Sequence, residues 1–120
     1  MLGKKEWIIP DCELPPPGEG AAKGHESIII VNAGKAAAHI RVTLLFTDRE
    51  PHNGIVWTVD AKRVRCFRTN NPADMNGLDV PFNTQYAVEL VSDAPVVVQY
   101  GRLDNTQSNL AFYTTLAYGG

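Results

Sequence analysis

Ala94-Pro95-Val96-Val97-Val98-Gln99-Tyr100-Gly101-Arg102-Leu103-Asp104 is the stretch on which the reading of the fold turns. Val96, Val97 and Val98 are β-branched and apolar on both faces, the pattern of a central strand covered on each side. Pro95, with no amide donor, marks the first position of that strand. Within a few residues the run changes into Gln99, Arg102 and Asp104, so a core strand delivers a polar cluster at its end.

Working outward, Gln85 to Val91 sets Tyr86, Val88 and Leu90 against Ala87, Glu89 and Val91, and Ser92-Asp93-Ala94-Pro95 reads as a turn between two strands. Phe112 to Tyr118 reads as one last strand. Ala36 to Phe46 carries the clearest alternation, with Ile40, Val42, Leu44 and Phe46 on one face and His39, Arg41 and Thr43 on the other. Ser27 to Val31 is apolar on both faces, Ile55 to Val59 and Val64 to Arg68 are further strands, and Lys5 to Ile9 is the first, ending at Pro10. Between them lie a Pro/Gly loop from Asp11 to Gly20 and a longer one from Thr69 to Thr84, pinned only by Leu78 and Val80.

No stretch sustains a helical apolar period. Short strands at turn-punctuated intervals predict an all-β chain: a single-domain antiparallel β-sandwich of about eight strands spanning residues 1–120. A chain of 120 residues with 44% hydrophobic and 20% charged residues is long enough to bury a core without disulfides or a structural metal. The formal net charge of −2 gives nucleic acid no global attraction. No apolar run reaches the roughly 20 residues of a membrane span, and Trp7-Ile8-Ile9 is too short for a secretory signal, so the expected location is cytoplasmic. Cys12 and Cys66 are therefore expected as free thiols.

Several short motifs occur in a telling order. These are His25-Glu26 before a buried strand, Val31-Asn32-Ala33-Gly34 at its end, and Asp48-Arg49-Glu50-Pro51 after the next. Pro95-Val96-Val97-Val98-Gln99 then runs to Arg102-Leu103-Asp104, and Gln107 precedes Leu116-Ala117-Tyr118. Together, over nearly the whole chain, they resemble the sensory rhodopsin transducer family. The resemblance implies a small β-sandwich assembling as a homotetramer, with a membrane sensor such as a sensory rhodopsin as partner. It also implies a sugar-like ligand or, less favoured, DNA. Residues 69–84 depart from the family's pattern.

His25, Glu26, Asp48, Arg49, Glu50, Gln99, Arg102 and Asp104 fall at strand ends and turns, where a sandwich gathers its loops, and could form a polar, ligand-binding rim. Arg suits bidentate recognition, and the acids and amide suit hydroxyl groups. The competing reading is structural: an ion-pair network such as Arg102 with Glu50 or Glu26, or contacts between subunits. A second candidate is the basic face Lys62, Arg63, Arg65 and Arg68, where Phe67 could stack bases while the guanidiniums hold phosphates. Trp7, Trp57, Tyr86, Tyr100 and Tyr113 could form a sugar-stacking platform or simply belong to the core or an interface.

His25, His39 and His52 lack the close spacing of metal ligands, so neither a metal nor a cofactor is expected. No nucleophile elbow, phosphate loop or Cys/His arrangement is present, and Asp48 with Glu50 gives no acid and base across a cleft. The expectation is a non-enzyme acting by binding.

Overall fold

The computed structural model describes residues 2–107 and 109–120. Among these described residues eight strands are formed: β1 (Lys4–Glu13), β2 (His25–Asn32), β3 (Ala38–Phe46), β4 (His52–Val59), β5 (Arg63–Arg68), β6 (Gln85–Asp104), β7 (Ala111–Leu116) and β8 (Tyr118–Gly119). Every strand pairing is antiparallel, as the alternating patterns predicted.

The organising element is β6, 20 residues long. Its first part, from Gln85 to Ser92, pairs with β3 and β1 in a sheet ordered β4-β3-β6-β1-β8. Its second part, from Val97 to Asp104, pairs with β2 and β7, and β5 extends β2 to make the second sheet. Ser92-Asp93-Ala94-Pro95 is therefore a corner inside one strand, where the chain changes sheets, rather than a turn between two. The Ser92 hydroxyl donates to the Ala94 carbonyl across that corner. The closing segment divides in the opposite sense: β7 belongs to the second sheet, β8 to the first, with Ala117 between them. β1 runs through Pro10 to Glu13, with a register irregularity between Ile9 and Cys12 that accommodates the proline.

The inner faces of the two sheets make one core. Ile40, Val42 and Leu44, with Ile55, Trp57, Val88 and Leu90, meet Ile28, Ile30, Phe67, Val96 and Val98, all buried. Trp57 stacks on Phe67 with ring centroids 4.2 Å apart and planes 5° off parallel. The long β5–β6 loop is pinned by Met75, which is buried, besides Leu78 and Val80, and the Trp57 indole donates to the Asp74 carbonyl at 2.7 Å. The Pro/Gly loop is held by Asn105, whose amide donates to the carbonyls of Glu19 (3.2 Å) and Ala22. Gly18, at φ 71°, leaves the room that the Asn105 side chain occupies.

The second sheet's outer face is not covered, contrary to the expectation from Val96–Val98 and Ser27–Val31. Val97 and Ile29 are only half-buried there, and Val31 and Val64 are exposed. All six residues of β7 are exposed, with Phe112 and Leu116 each 66% accessible. Period-2 reading identifies apolar faces; it does not say whether the same chain covers both.

Candidate functional site

Glu26 lies one period before Ile28 and Ile30, so the strand that builds the core carries its carboxylate inward, where it is completely buried. A buried acid must be satisfied. Tyr86 OH and Thr69 Oγ1 (2.9 Å) donate to Oε1, while Tyr100 OH and the Glu13 amide (3.0 Å) donate to Oε2. The donors converge because β6 turns its corner: Tyr86 comes from the first sheet, Tyr100 from the second, and Thr69 follows β5.

Arg102, two residues beyond Tyr100 on the same face, donates Nε to the Tyr100 hydroxyl at 3.1 Å. Its guanidinium carbon lies 5.9 Å from the Tyr100 ring centre and 5.4 Å from that of Tyr113 on β7. Glu26, Tyr100, Arg102 and Tyr113 thus form a continuous chain of contacts from the core to the exposed edge strand. Its electrostatics are those of a sealed carboxylate. Burial, then the Glu26 charge, pushes the Tyr86 and Tyr100 phenols well above their ordinary range, and the same two causes raise the Cys12 thiol. With its oxygens taken by four donors, Glu26 clamps the two sheets and has no open position for a ligand.

The other rim candidates are dispersed. Asp48 and Arg49 pair with each other at 2.9 Å, holding the Asp48 carboxyl below its usual range, and Arg49 lies 4.9 Å over Phe46. Phe46 in turn packs 6.0 Å from Tyr86, so this turn adjoins the Glu26 cluster through two rings. Glu50 is exposed. His25 Nδ1 lies 2.8 Å from the Lys23 carbonyl. Asp104 accepts from the Thr106 amide and hydroxyl, which keeps its carboxyl acidic. Gln99 has the opposite parity from Tyr100 and sits on the second sheet's outer face, between Ile29 and Leu116. Neither Arg102–Glu26 nor Arg102–Glu50 forms an ion pair; among the described residues the pairs are His39–Asp93 and Arg49–Asp48.

On the basic face, Lys62 donates to the Ala33 carbonyl, Arg63 to that of Lys62 and Arg65 to that of Thr58. Arg65 covers the Phe67 ring at 4.5 Å, and Trp57 takes the stacking contact, so the ring that would stack bases is enclosed. Of the aromatic platform, Trp57, Tyr86 and Tyr100 are core, Trp7 is half-buried and Tyr113 is exposed. Cys12, buried, and Cys66, exposed, are both free. As donors to a carboxylate, Tyr86, Tyr100 and Thr69 are not found by the sequence, which offers the two tyrosines only as a stacking platform or core and does not single out Thr69. Parity put both tyrosines on inner faces, but nothing local shows that the two faces close on one carboxylate.

No curated protein is matched. Among solved structures, a Thermotoga maritima protein designated 1070 superposes with a TM-score of 0.88 at 30% identity, over 100% of this chain and 97% of the other. The Anabaena sensory rhodopsin transducer superposes with a TM-score of 0.70, also at 30% identity, over 82% of this chain and 96% of that one. The family model described as Anabaena sensory rhodopsin transducer matches residues 2–119. The motifs quoted from the sequence, the two sheets joined through β6 and these matches lead to one conclusion: the chain belongs to the Anabaena sensory rhodopsin transducer family.

Proposed function

We propose that this protein is a non-catalytic signalling module that works as a homo-oligomer, a tetramer by family resemblance, on the cytoplasmic side of a membrane sensor of the sensory rhodopsin kind. The observation that carries the reading is the uncovered outer face of the second sheet. Val31 and Val64 toward β5, and Phe112 and Leu116 on β7, leave large apolar side chains exposed there, with Ile29 and Val97 half-buried between them. Its rows run from β5 through β2 and β6 to β7: Cys66, Ile29, Gln99 and Leu116 form one, and Arg68, Ser27, Gly101 and Thr114 the next. Such a face suits another flat sheet face, as found on a second copy of the chain.

The Glu26–Tyr100–Arg102–Tyr113 chain of contacts gives that surface a link to the core, since Tyr113 belongs to β7. A partner that favours one placement of β7 would shift the balance of assembled states, which is what a signal requires. The enclosed Phe67 leaves the nucleic-acid alternative without its stacking ring.

Light scattering after gel filtration tests the assembly. The wild type is expected at the mass of a tetramer, and Phe112→Glu or Leu116→Glu at that of a monomer with an unchanged circular dichroism spectrum, because both side chains are exposed within one chain. A monomeric wild type would sink the assembly. Co-sedimentation with liposomes carrying a sensory rhodopsin, against empty liposomes, tests the partner; equal recovery from both would remove it.

A further inference from the structure

The β5–β6 loop forms a groove of about 360 Å³ away from the assembly face, sharing Thr69 with the Glu26 clamp. Leu14, Pro72, Leu78, Val80, Pro81 and Phe82 supply its walls, and Thr69, Asn70 and Asp79 its polar positions. Three features make it a built site.

The first is rigidity. Phe82 is 49% exposed, yet its backbone bridges to Leu14, and the next residue, Asn83, donates its amide to the Leu14 carbonyl at 2.9 Å. Pro72 and Leu78, which also line the groove, are held by tight turns in which Gly77 donates to Pro72 at 2.8 Å and Leu78 to Met75 at 3.1 Å, and the Met75 side chain is buried. A half-exposed ring on a fixed backbone loses little freedom when it meets a ligand. The second is shape: the volume falls within the range of small-molecule pockets, and the walls are mostly apolar.

The third is charge. Asp79 brings a carboxylate to the groove, no Lys, Arg or His lines it, and the ion pairs formed among the described residues leave Asp79 out. An anion entering would meet repulsion with no compensating cation. A neutral ring would leave the carboxylate to water. A positive group would find the carboxylate, with the half-exposed ring of Phe82 lining the same groove.

We propose that this groove binds a small organic cation: an ammonium or alkylammonium group carried on an apolar ring, with the cation at Asp79 and Phe82 and the ring against Leu14, Leu78 and Pro81. Thr69, which lines the groove, donates its hydroxyl to Glu26, so the groove adjoins the clamp between the sheets.

Benzylamine, benzyl alcohol and benzoate share one ring and differ in charge, and together they test the proposal by titration of the ¹⁵N-labelled full chain. The expected order of affinity is benzylamine, then benzyl alcohol, then benzoate, with benzylamine shifting amides at residue 14 and residues 69–82. Asp79→Asn is expected to weaken benzylamine about fivefold or more, roughly the worth of one partly exposed charged contact, and to leave benzyl alcohol unchanged. Phe82→Ser weakens both. Asp79 and Phe82 are exposed, so the fold is retained, and Asp79→Asn decides the matter by itself. Absence of benzylamine binding, shifts elsewhere in the molecule, benzoate binding as tight as benzylamine, or an Asp79→Asn variant indistinguishable from wild type would each overturn it.

Discussion

Glu26 and Asp93 are both carboxylates that accept a backbone amide from another strand, Glu13 at 3.0 Å and His39 at 2.8 Å, and both tie elements of the fold together. They differ in surroundings. Glu26 is sealed between the sheets with three hydroxyls completing its shell. Asp93 sits in solvent at the β6 corner, where the His39 amide and then its ring, 2.8 Å away, lower its carboxyl below the usual range. Similar bonds therefore have different worth. Inside, a lost partner leaves buried donors that water cannot reach; outside, water replaces the partner at once.

Removing the inner acid should have the largest effect. Glu26→Ala strands several buried donors and is expected to cost roughly 3–5 kcal/mol, enough to lower the melting temperature by more than about 10 °C. A melt within a few degrees of wild type would show that the clamp contributes little. Tyr100→Phe comes next: it deletes one donor to Glu26 and the acceptor of Arg102, for about 1–3 kcal/mol read from urea unfolding.

Alkaline titration sharpens the contrast without mutation. The raised Tyr86 and Tyr100 phenols add stability that is whole below the ordinary phenol range and falls away as pH climbs above it, because the unfolded chain releases those protons first. Absorbance of phenolate should show the two buried phenols titrating only with unfolding; their titration in the folded protein would contradict the sealed site.

The smallest effect belongs to the surface. Asp93→Ala is expected to cost less than about 1 kcal/mol. The depressed Asp93 acid contributes above the usual carboxylate range, and that contribution disappears as pH falls through its lower folded value. A loss as large as that of Glu26→Ala would mean that the β6 corner, rather than the buried clamp, holds the two sheets together.

Much of this was legible in the chain. Alternation over Ala36–Phe46 and Gln85–Val91 predicted antiparallel strands, and Val96–Val98 marked the central one. The motif order from His25-Glu26 to Leu116-Ala117-Tyr118 identified the family that the comparisons show. The corner at Ser92–Pro95 was not legible, since its Ser, Asp and Pro are also the residues of a turn, and only pairing with β3 and β1 before it and β2 and β7 after it makes one strand of it. For the site, Glu26 stood out, but as a rim residue. Counting back from Ile30 and Ile28 assigns it to the inner face, and the identity of its donors depends on Tyr86, 60 residues away, and Tyr100, 74 away.

By itself the sequence determined the local preferences: where strands run, which side of each is apolar, where Pro and Gly interrupt them, and that the chain carries no concentrated field of charge. These follow from side-chain shape and a period of two, which neighbouring residues fix among themselves. Tertiary structure decided which apolar faces found cover within the chain, that a carboxylate on β2 would meet two tyrosines from opposite ends of β6, and that Asp79 and Phe82 would share a groove. Those outcomes depend on how two sheets close over one another, which the spacing of residues along the chain does not encode.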